Sequence, residues 1–285
     1  MVTLVTYLPF YRIHEINEYF MRNIEILKPK NAIAYIDNVF HERQREIINK
    51  VIPSNVEVRL GNWHNRNNTW LTMLRDFHSI GGEIMVVDSD NVVEPILTEV
   101  HKVLSTQVPI YGILNVEAWK GPIMARSRKI GDIKLGNSMR PLYTYRVYDS
   151  SLSGLFKGGS IFFIGPKQVI TFMKLPDIEL INKVERAINQ VDPWLRNLIS
   201  DETLLGIIVY LMGIKEVPWT IASHHYHHGS TLGKGTELLV AAAHYQFARA
   251  LHKEFHRWEF MRYRIKYLLS MIKNLENLLN LGVSS

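Results

Sequence analysis

An α/β fold built on a doubly wound, Rossmann-like sheet is what this 285-residue sequence predicts, and three observations carry that prediction. Short β-branched runs alternate with amphipathic stretches from Val2 to Asp88, as parallel βαβ units require. Polar or acidic residues close several of the runs, at the strand ends where such sheets bind ligands. The chain is 47% apolar and 21% charged, ordinary for a globular protein and sufficient for one large core.

Each element follows from its pattern. Val2 to Tyr7 is a buried strand with Pro9 behind it. Ile13, Ile16, Phe20, Ile24 and Leu27 lie at steps of three and four, one face of a helix over 13–27. Asn31 to Ile36 is a second strand, closed by Asp37-Asn38. His41 to Val51 is a helix, Val56 to Leu60 a strand and Leu71 to Ile80 a helix broken by Gly81-Gly82. Ile84 to Val87 is the fourth strand and runs into Asp88. Beyond it, Tyr111 to Val116 and Ser160 to Ile164 read as strands, and Asp201 to Gly213 as a buried helix capped by Ser200 or Asp201. The stretch from Trp119 to Arg146 reads as a basic loop, with seven Lys and Arg against the single acid Asp132.

The C-terminal region differs in character. No proline or glycine interrupts Thr236 to Leu281, and Leu251, Trp258, Ile265, Ile272 and Leu279 recur every seven residues. Met261, Leu268 and Leu275 lie three residues after the middle ones. This heptad seam predicts a helix that, unbroken, would reach about 65 Å. The expected division is a nucleotide-binding and catalytic domain over 1–235 and an amphipathic helical region over 236–285. The helix has a surplus of three positive charges. It is read as packing on its own domain, as forming a homodimer, or as lying on an anionic membrane surface.

Composition narrows the chemistry. No cysteine is present, which removes disulfides, thiolate metal sites and a cysteine nucleophile. The net charge of +6 favours anionic partners without choosing among them. The longest mainly apolar run, Leu204 to Ile214, is too short to span a bilayer, and no basic leader precedes the first strand. Cytoplasmic placement, with or without membrane-surface contact, is the expectation.

The sharpest motif is Val86-Val87-Asp88-Ser89-Asp90-Asn91. Two carboxylates flank a small residue at the end of an apolar strand, where they can bracket a hard divalent cation together with substrate phosphates. A solvated turn or a helix cap is the plainer reading of any Asp-x-Asp. With its strand context, this motif resembles that of the DXD-type nucleotide-sugar glycosyltransferases of the GT-A fold, and the resemblance extends over roughly Val2 to Lys234. It implies a mixed, Rossmann-like sheet and Mn²⁺ or Mg²⁺ on Asp88 and Asp90. It also implies a UDP- or GDP-linked sugar as donor, while the acceptor stays unassigned.

Further positions resemble parts of that family. Thr6-Tyr7 is similar to the segment that contacts the nucleoside, with Tyr7 stacking on the base. Asp37 resembles the acid that accepts from a base imide, and Arg66 or Arg75 the diphosphate-side arginine. Ser89 falls with the donor-binding residues, as do Gly158 and Gly159, which resemble the glycine-containing strand that lines the sugar pocket. Asp201 or Glu202 resembles the acid that activates the acceptor in inverting members or contacts the donor sugar in retaining ones, with Asp201 favoured. His224-His225-Tyr226-His227-His228-Gly229 offers the late histidine that completes the metal site, His228 first and His225 second, and Lys234 a phosphate contact. The family's tryptophan–proline tail is missing. Each residue also has a plain role: core for Tyr7, turn for Asp37 and the glycines, surface charge for Arg75, helix cap for Asp201, polar loop for the histidines. Two alternatives stand beside this reading. One is a nucleotidyltransferase, although Leu8-Pro9-Phe10-Tyr11 is no glycine-rich phosphate loop. The other is a non-enzymatic module that binds membranes or nucleic acid through residues 119–146 and the C-terminal helix.

Overall fold

The computed structural model describes residues 2–63, 65–116, 124, 126–149, 160–165, 167–226 and 236–283. β1 (Thr3–Pro9), β2 (Asn31–Asp37), β3 (Glu57–Leu60) and β4 (Ile84–Val87) occupy the predicted places. The first crossover passes through a π-helical stretch at Ile16–Phe20 into α1 (Met21–Leu27), and the second is α2 (Glu42–Val51). α3 (Arg66–Ile80) starts earlier than its apolar face suggests, because the Asn65 side chain caps it by accepting from the Asn68 N–H at 2.9 Å. The four strands pair in parallel in the order β3-β2-β1-β4. The chain first winds to one side of β1 and then returns to the other. The carboxyl ends of β1 and β4 therefore form a topological switch point, where a crevice opens.

The rest of the sheet is mixed, as the resemblance implies. β5 (Asn91–Val93), β6 (Ile110–Asn115), β7 (Ser127–Leu135), β8 (Ser138–Arg146), β9 (Val169–Phe172) and β10 (Glu216–His225) complete it. The full path is β3-β2-β1-β4-β9-β6-β10-β8-β7, with β5 paired to β10. β9 runs antiparallel between β4 and β6. α4 (Leu97–Leu104), α5 (Ile178–Asn189) and α6 (Asp201–Leu211) flank the sheet. Period-two alternation sends Val5, Tyr35 and Val86 into one core and Leu4, Ala34 and Met85 into the other.

Three expectations need correction. Most of the basic stretch 119–146 is a β-hairpin, β7 to β8, rather than a loop. Ile133, Leu135 and Tyr145 are buried while most of the charges face out, and Gly136 at φ 57° closes the turn. Ser160 to Ile164 forms a single bridge, Phe162 with Tyr148, not a strand. The C-terminal segment is not one helix. α7 (Glu237–Phe255) stops at His256, which adopts the left-handed conformation at φ 51°, and α8 (Trp258–Val283) folds back against it. No helix breaker marks this corner. The hairpin buries Phe247 and Leu251 together with Phe260, Tyr263 and Tyr267 in the first core, which an extended helix would leave in water.

His244 lies inside this hairpin, hydrogen-bonded to the Tyr263 hydroxyl and stacked on the Tyr267 ring at 4.6 Å. Burial, then the Lys266 charge, lowers its pKa from 6.5 to about 3. Below pH 6.5 the unfolded chain therefore binds a proton that the folded chain refuses, and stability falls as pH drops from 6.5 towards 3. The slope approaches about 1.4 kcal/mol per pH unit, or about 2.5 kcal/mol by pH ~4.5. Urea melts at pH 7.5, 6 and 4.5 should show this fall, and His244→Gln should remove that share of it.

Candidate active site

A cavity of about 350 Å³ sits at the switch point. Tyr7 reaches it from β1, Asp37 from the end of β2, Arg66 from the first turn of α3, Asp88, Ser89 and Asp90 from the loop after β4, Glu202 from α6 and His225 from β10. Sequence positions from 7 to 225 thus converge on one crevice. Lys167 and Arg12 also line it.

Sheet register explains the convergence. β4 and β9 pair with Val87 opposite Val169, so the segment just before β9 lies beside the aspartate loop, and the Asp88 N–H donates to the Gln168 carbonyl at 2.9 Å. That register delivers Lys167. On the other side β5 pairs with β10, His225 opposite Asn91, and the Tyr226 N–H donates to the Asp90 carbonyl at 3.0 Å. That register delivers His225, whose Nε2 stands 3.3 Å from Asp90 Oδ2.

The two aspartates of the motif have different electrostatics. Asp90 accepts from Arg12 at 2.7 Å and from the Asn91 side chain at 3.1 Å, and it also faces His225. Burial alone would raise its pKa, but His225 and Arg12 overcome this and hold it down at about 2. Asp88 opens into the cavity. Burial pushes it up to about 6, with Lys167 opposing and Asp201 and Asp90 adding to the rise. It is a carboxylate short of positive charge.

Asp201 and Glu202 also separate. Asp201 is 3% exposed and accepts from Lys167 Nζ at 2.6 Å and from the Tyr7 hydroxyl at 3.1 Å. Burial opposes its ionisation, but the Lys167 ammonium prevails and lowers its pKa. Glu202 lies 3.5 Å from the same ammonium and lines the cavity, and burial followed by the Asp201 charge raises its pKa. Asp201 is the buried counter-ion of Lys167, and Glu202 is the carboxylate that lines the cavity. That division of exposure at the first turn of a helix cannot be read from Ser200-Asp201-Glu202.

Other predicted residues fall as follows. Tyr7 lines the cavity. Its hydroxyl is tied to Asp201, and its ring meets Trp70 edge-on at 5.3 Å. Thr6 is wholly buried and, by strand alternation, faces away from Tyr7 into the opposite layer. Asp37 Oδ1 accepts the N–H groups of Asn38 and Trp63 at 2.7 and 2.8 Å, which fixes the carboxylate at the cavity wall. Of the two arginines, Arg66 lines the cavity, whereas Arg75 pairs with Glu185 of α5. Gly158, Gly159, His228 and Lys234 lie outside the described residues. Arg12 and Lys167 carried no motif in the sequence. Lys167 is a lone cation before an apolar run, and only the antiparallel register of β9 gives it meaning.

Among the described residues, no three or more His, Asp and Glu side chains converge as a closed metal site. Mg²⁺ or Mn²⁺ ordinarily takes one or two carboxylates, with phosphate and water oxygens supplying the rest. Asp88, unsaturated and facing the cavity, meets that donor requirement. Asp90 has spent three of its about four acceptor positions on protein contacts and adds at most one more. The residues therefore fit an ion that shares its shell with a diphosphate.

Comparison with family models and with curated proteins finds no match. Solved structures resemble the fold at low identity. TarS 1–349 of S. aureus has a TM-score of 0.46 and 12% identity, covering 95% of this chain and 72% of that one, and it has also been solved with UDP-GlcNAc. The inositol-1-phosphate CTP transferase from T. maritima has a TM-score of 0.42 and 11% identity, covering 85% and 95%. The nucleoside-diphosphate-sugar pyrophosphorylase from Vibrio cholerae RC9 has a TM-score of 0.42 and 11% identity, covering 78% and 91%. Likenesses this distant assign neither a reaction nor a residue to this chain.

Proposed function

We propose that this chain is an enzyme of nucleotide sugars and, within that class, a metal-dependent glycosyltransferase of GT-A type. The observation that carries the reading is the convergence of Asp37, Arg66, Asp88, Glu202 and His225 on one cavity at the switch point. A nucleoside-diphosphate sugar needs the groups found there. Asp37, held by two backbone N–H groups, is set to accept from the imide of uracil or guanine. Arg66 supplies positive charge to a diphosphate, while Arg12 is taken up by Glu15 and Asp90. Mn²⁺ or Mg²⁺ on Asp88, with support from Asp90, would neutralise diphosphate charge, including the charge that develops on the leaving group.

In this reading Glu202 takes the proton from the acceptor hydroxyl. Its raised pKa brings it nearer to neutral pH, as a general base requires. The acceptor oxygen then bonds to the anomeric carbon, the bond from that carbon to the diphosphate oxygen breaks, and the proton stays on Glu202. Lys167 keeps Asp201 ionised and fixed, so that Glu202 is held at the cavity wall.

A donor-hydrolysis screen over UDP- and GDP-linked sugars with Mn²⁺ tests this reading. One donor is expected to be hydrolysed, and Asp88→Ala is expected to abolish that turnover while the circular dichroism spectrum is unchanged. Pyrophosphate release from a nucleoside triphosphate and a sugar phosphate, with no donor hydrolysis, would assign the site to nucleotidyl transfer instead. Salt-sensitive polyanion binding without any nucleotide response would favour the non-enzymatic module.

A further inference from the structure

Apart from Leu251, which is buried in the first core, the heptad seam of the C-terminal region is not consumed by the fold. α8 uses Phe260, Tyr263 and Tyr267 to dock on the core, and all three are buried. The seam lies on another face of the same helix. Trp258, Ile265, Leu268, Ile272, Leu275 and Leu279 are each 42–70% exposed, and Leu269 beside them is 44% exposed. Together they leave an apolar stripe along one face of α8, and an exposed stripe of this kind marks an interaction surface. No helix among the described residues is long and apolar enough to cross a membrane.

We propose that α8 pairs with α8 of a second copy of this chain as an antiparallel two-stranded coiled coil. Residues Trp258, Ile265, Ile272 and Leu279 take one core position of the heptad, and Met261, Leu268 and Leu275 the other. In an antiparallel pair Ile265 meets the partner copy's Leu275, and Leu268 meets its Ile272. The flanking position that follows the second core position holds Arg262, Leu269 and Glu276. Across an antiparallel dimer, like flanks face each other. Arg262 then meets Glu276 of the other copy, Leu269 meets Leu269 at the two-fold axis, and Glu276 meets Arg262. On this flank the pattern is complementary to itself, as an isologous interface requires, while the other flank sets Met271 against Met271 and Arg264 against position 278. A parallel pair would set Leu269 against Arg264 and Glu276 against Met271, a mismatch at both places. Glu276 beside the stripe also argues against burial in lipid. Arg262 interacts with the Tyr148 hydroxyl and, with five donors, retains others for a carboxylate.

The absence of native cysteine makes the test direct. Sedimentation of the full chain at about 10 µM should show a dimer, and Leu268→Glu/Ile272→Glu should give a monomer of unchanged circular dichroism. Glu276→Arg should weaken the dimer at least ten-fold, and Arg262→Glu/Glu276→Arg should restore it. Chains carrying Ile265→Cys or Leu275→Cys should form disulfides when the two are mixed and not when each is alone. Cross-linking of each chain alone would show parallel pairing and overturn the proposal. So would a wild-type monomer, whether it remains free or floats with vesicles of anionic phospholipid.

Discussion

Replacing Lys167 with methionine is expected to cost about 3–5 kcal/mol of stability, the largest stability effect of any single change in this site. The ammonium lies 2.6 Å from Asp201 and 3.5 Å from Glu202, and both it and Asp201 are nearly inaccessible to water. Its loss leaves Asp201 as a buried charge without its main counter-ion, and the Tyr7 hydroxyl then donates to an unneutralised carboxylate. Urea denaturation should show the drop at pH 7. Adding Asp201→Asn to Lys167→Met should recover much of it, because the buried charge is then gone. A loss below about 1 kcal/mol would mean that water reaches Asp201 and that the pair is not a structural lock.

Glu202→Gln is expected to produce the largest catalytic effect for the smallest structural change. The amide keeps the shape but cannot take the acceptor proton, so kcat should fall by about 10²–10⁴ while UDP or GDP affinity is retained. Asp201→Asn should act differently, lowering stability first and turnover through the loss of a fixed Lys167. Steady-state kinetics with the donor and acceptor, set beside nucleotide titrations of both variants, separates the two roles. Full turnover by Glu202→Gln, with Asp201→Asn folded but inactive, would exchange the assignments.

Much of this arrangement is legible in the sequence because it is local. The four parallel strands announce themselves through β-branched runs, and the aspartate motif and Asp37 stand out at their ends, whereas the sequence leaves Arg66 level with Arg75 and sets His225 behind His228. What escapes is whatever depends on pairing between distant segments. β9 and β10 are short or ordinary apolar stretches, and their places in the sheet are set by which neighbours they pair with, not by their own composition. Lys167 becomes a site residue only through the register of β9 against β4, and Arg12 only because the turn after β1 brings it 2.7 Å from Asp90. The corner at His256 is a tertiary decision, in which burial of Phe260 and Tyr263 outweighs the helix propensity of the residues around it.

The assignment of Asp201 against Glu202 shows the same limit at the scale of one turn. Both acids suit a helix N-terminus, where the dipole favours negative charge. Only the packing of Lys167 and Tyr7 from other elements determines which one is sealed in and which one faces the cavity. The charge distinction between Asp88 and Asp90 is likewise set from outside the motif, by Arg12 on one flank and His225 on the other.

The central claim is that Asp88 and its neighbours hold a divalent cation together with a nucleoside diphosphate. Isothermal titration of UDP and of GDP into the protein, with and without Mn²⁺, tests it most directly. One nucleotide should bind at least ten-fold more tightly with Mn²⁺ present, and Asp88→Ala should remove that gain while its melting temperature stays near wild type. Equal affinity with and without the metal, or a gain that survives Asp88→Ala, would contradict the claim.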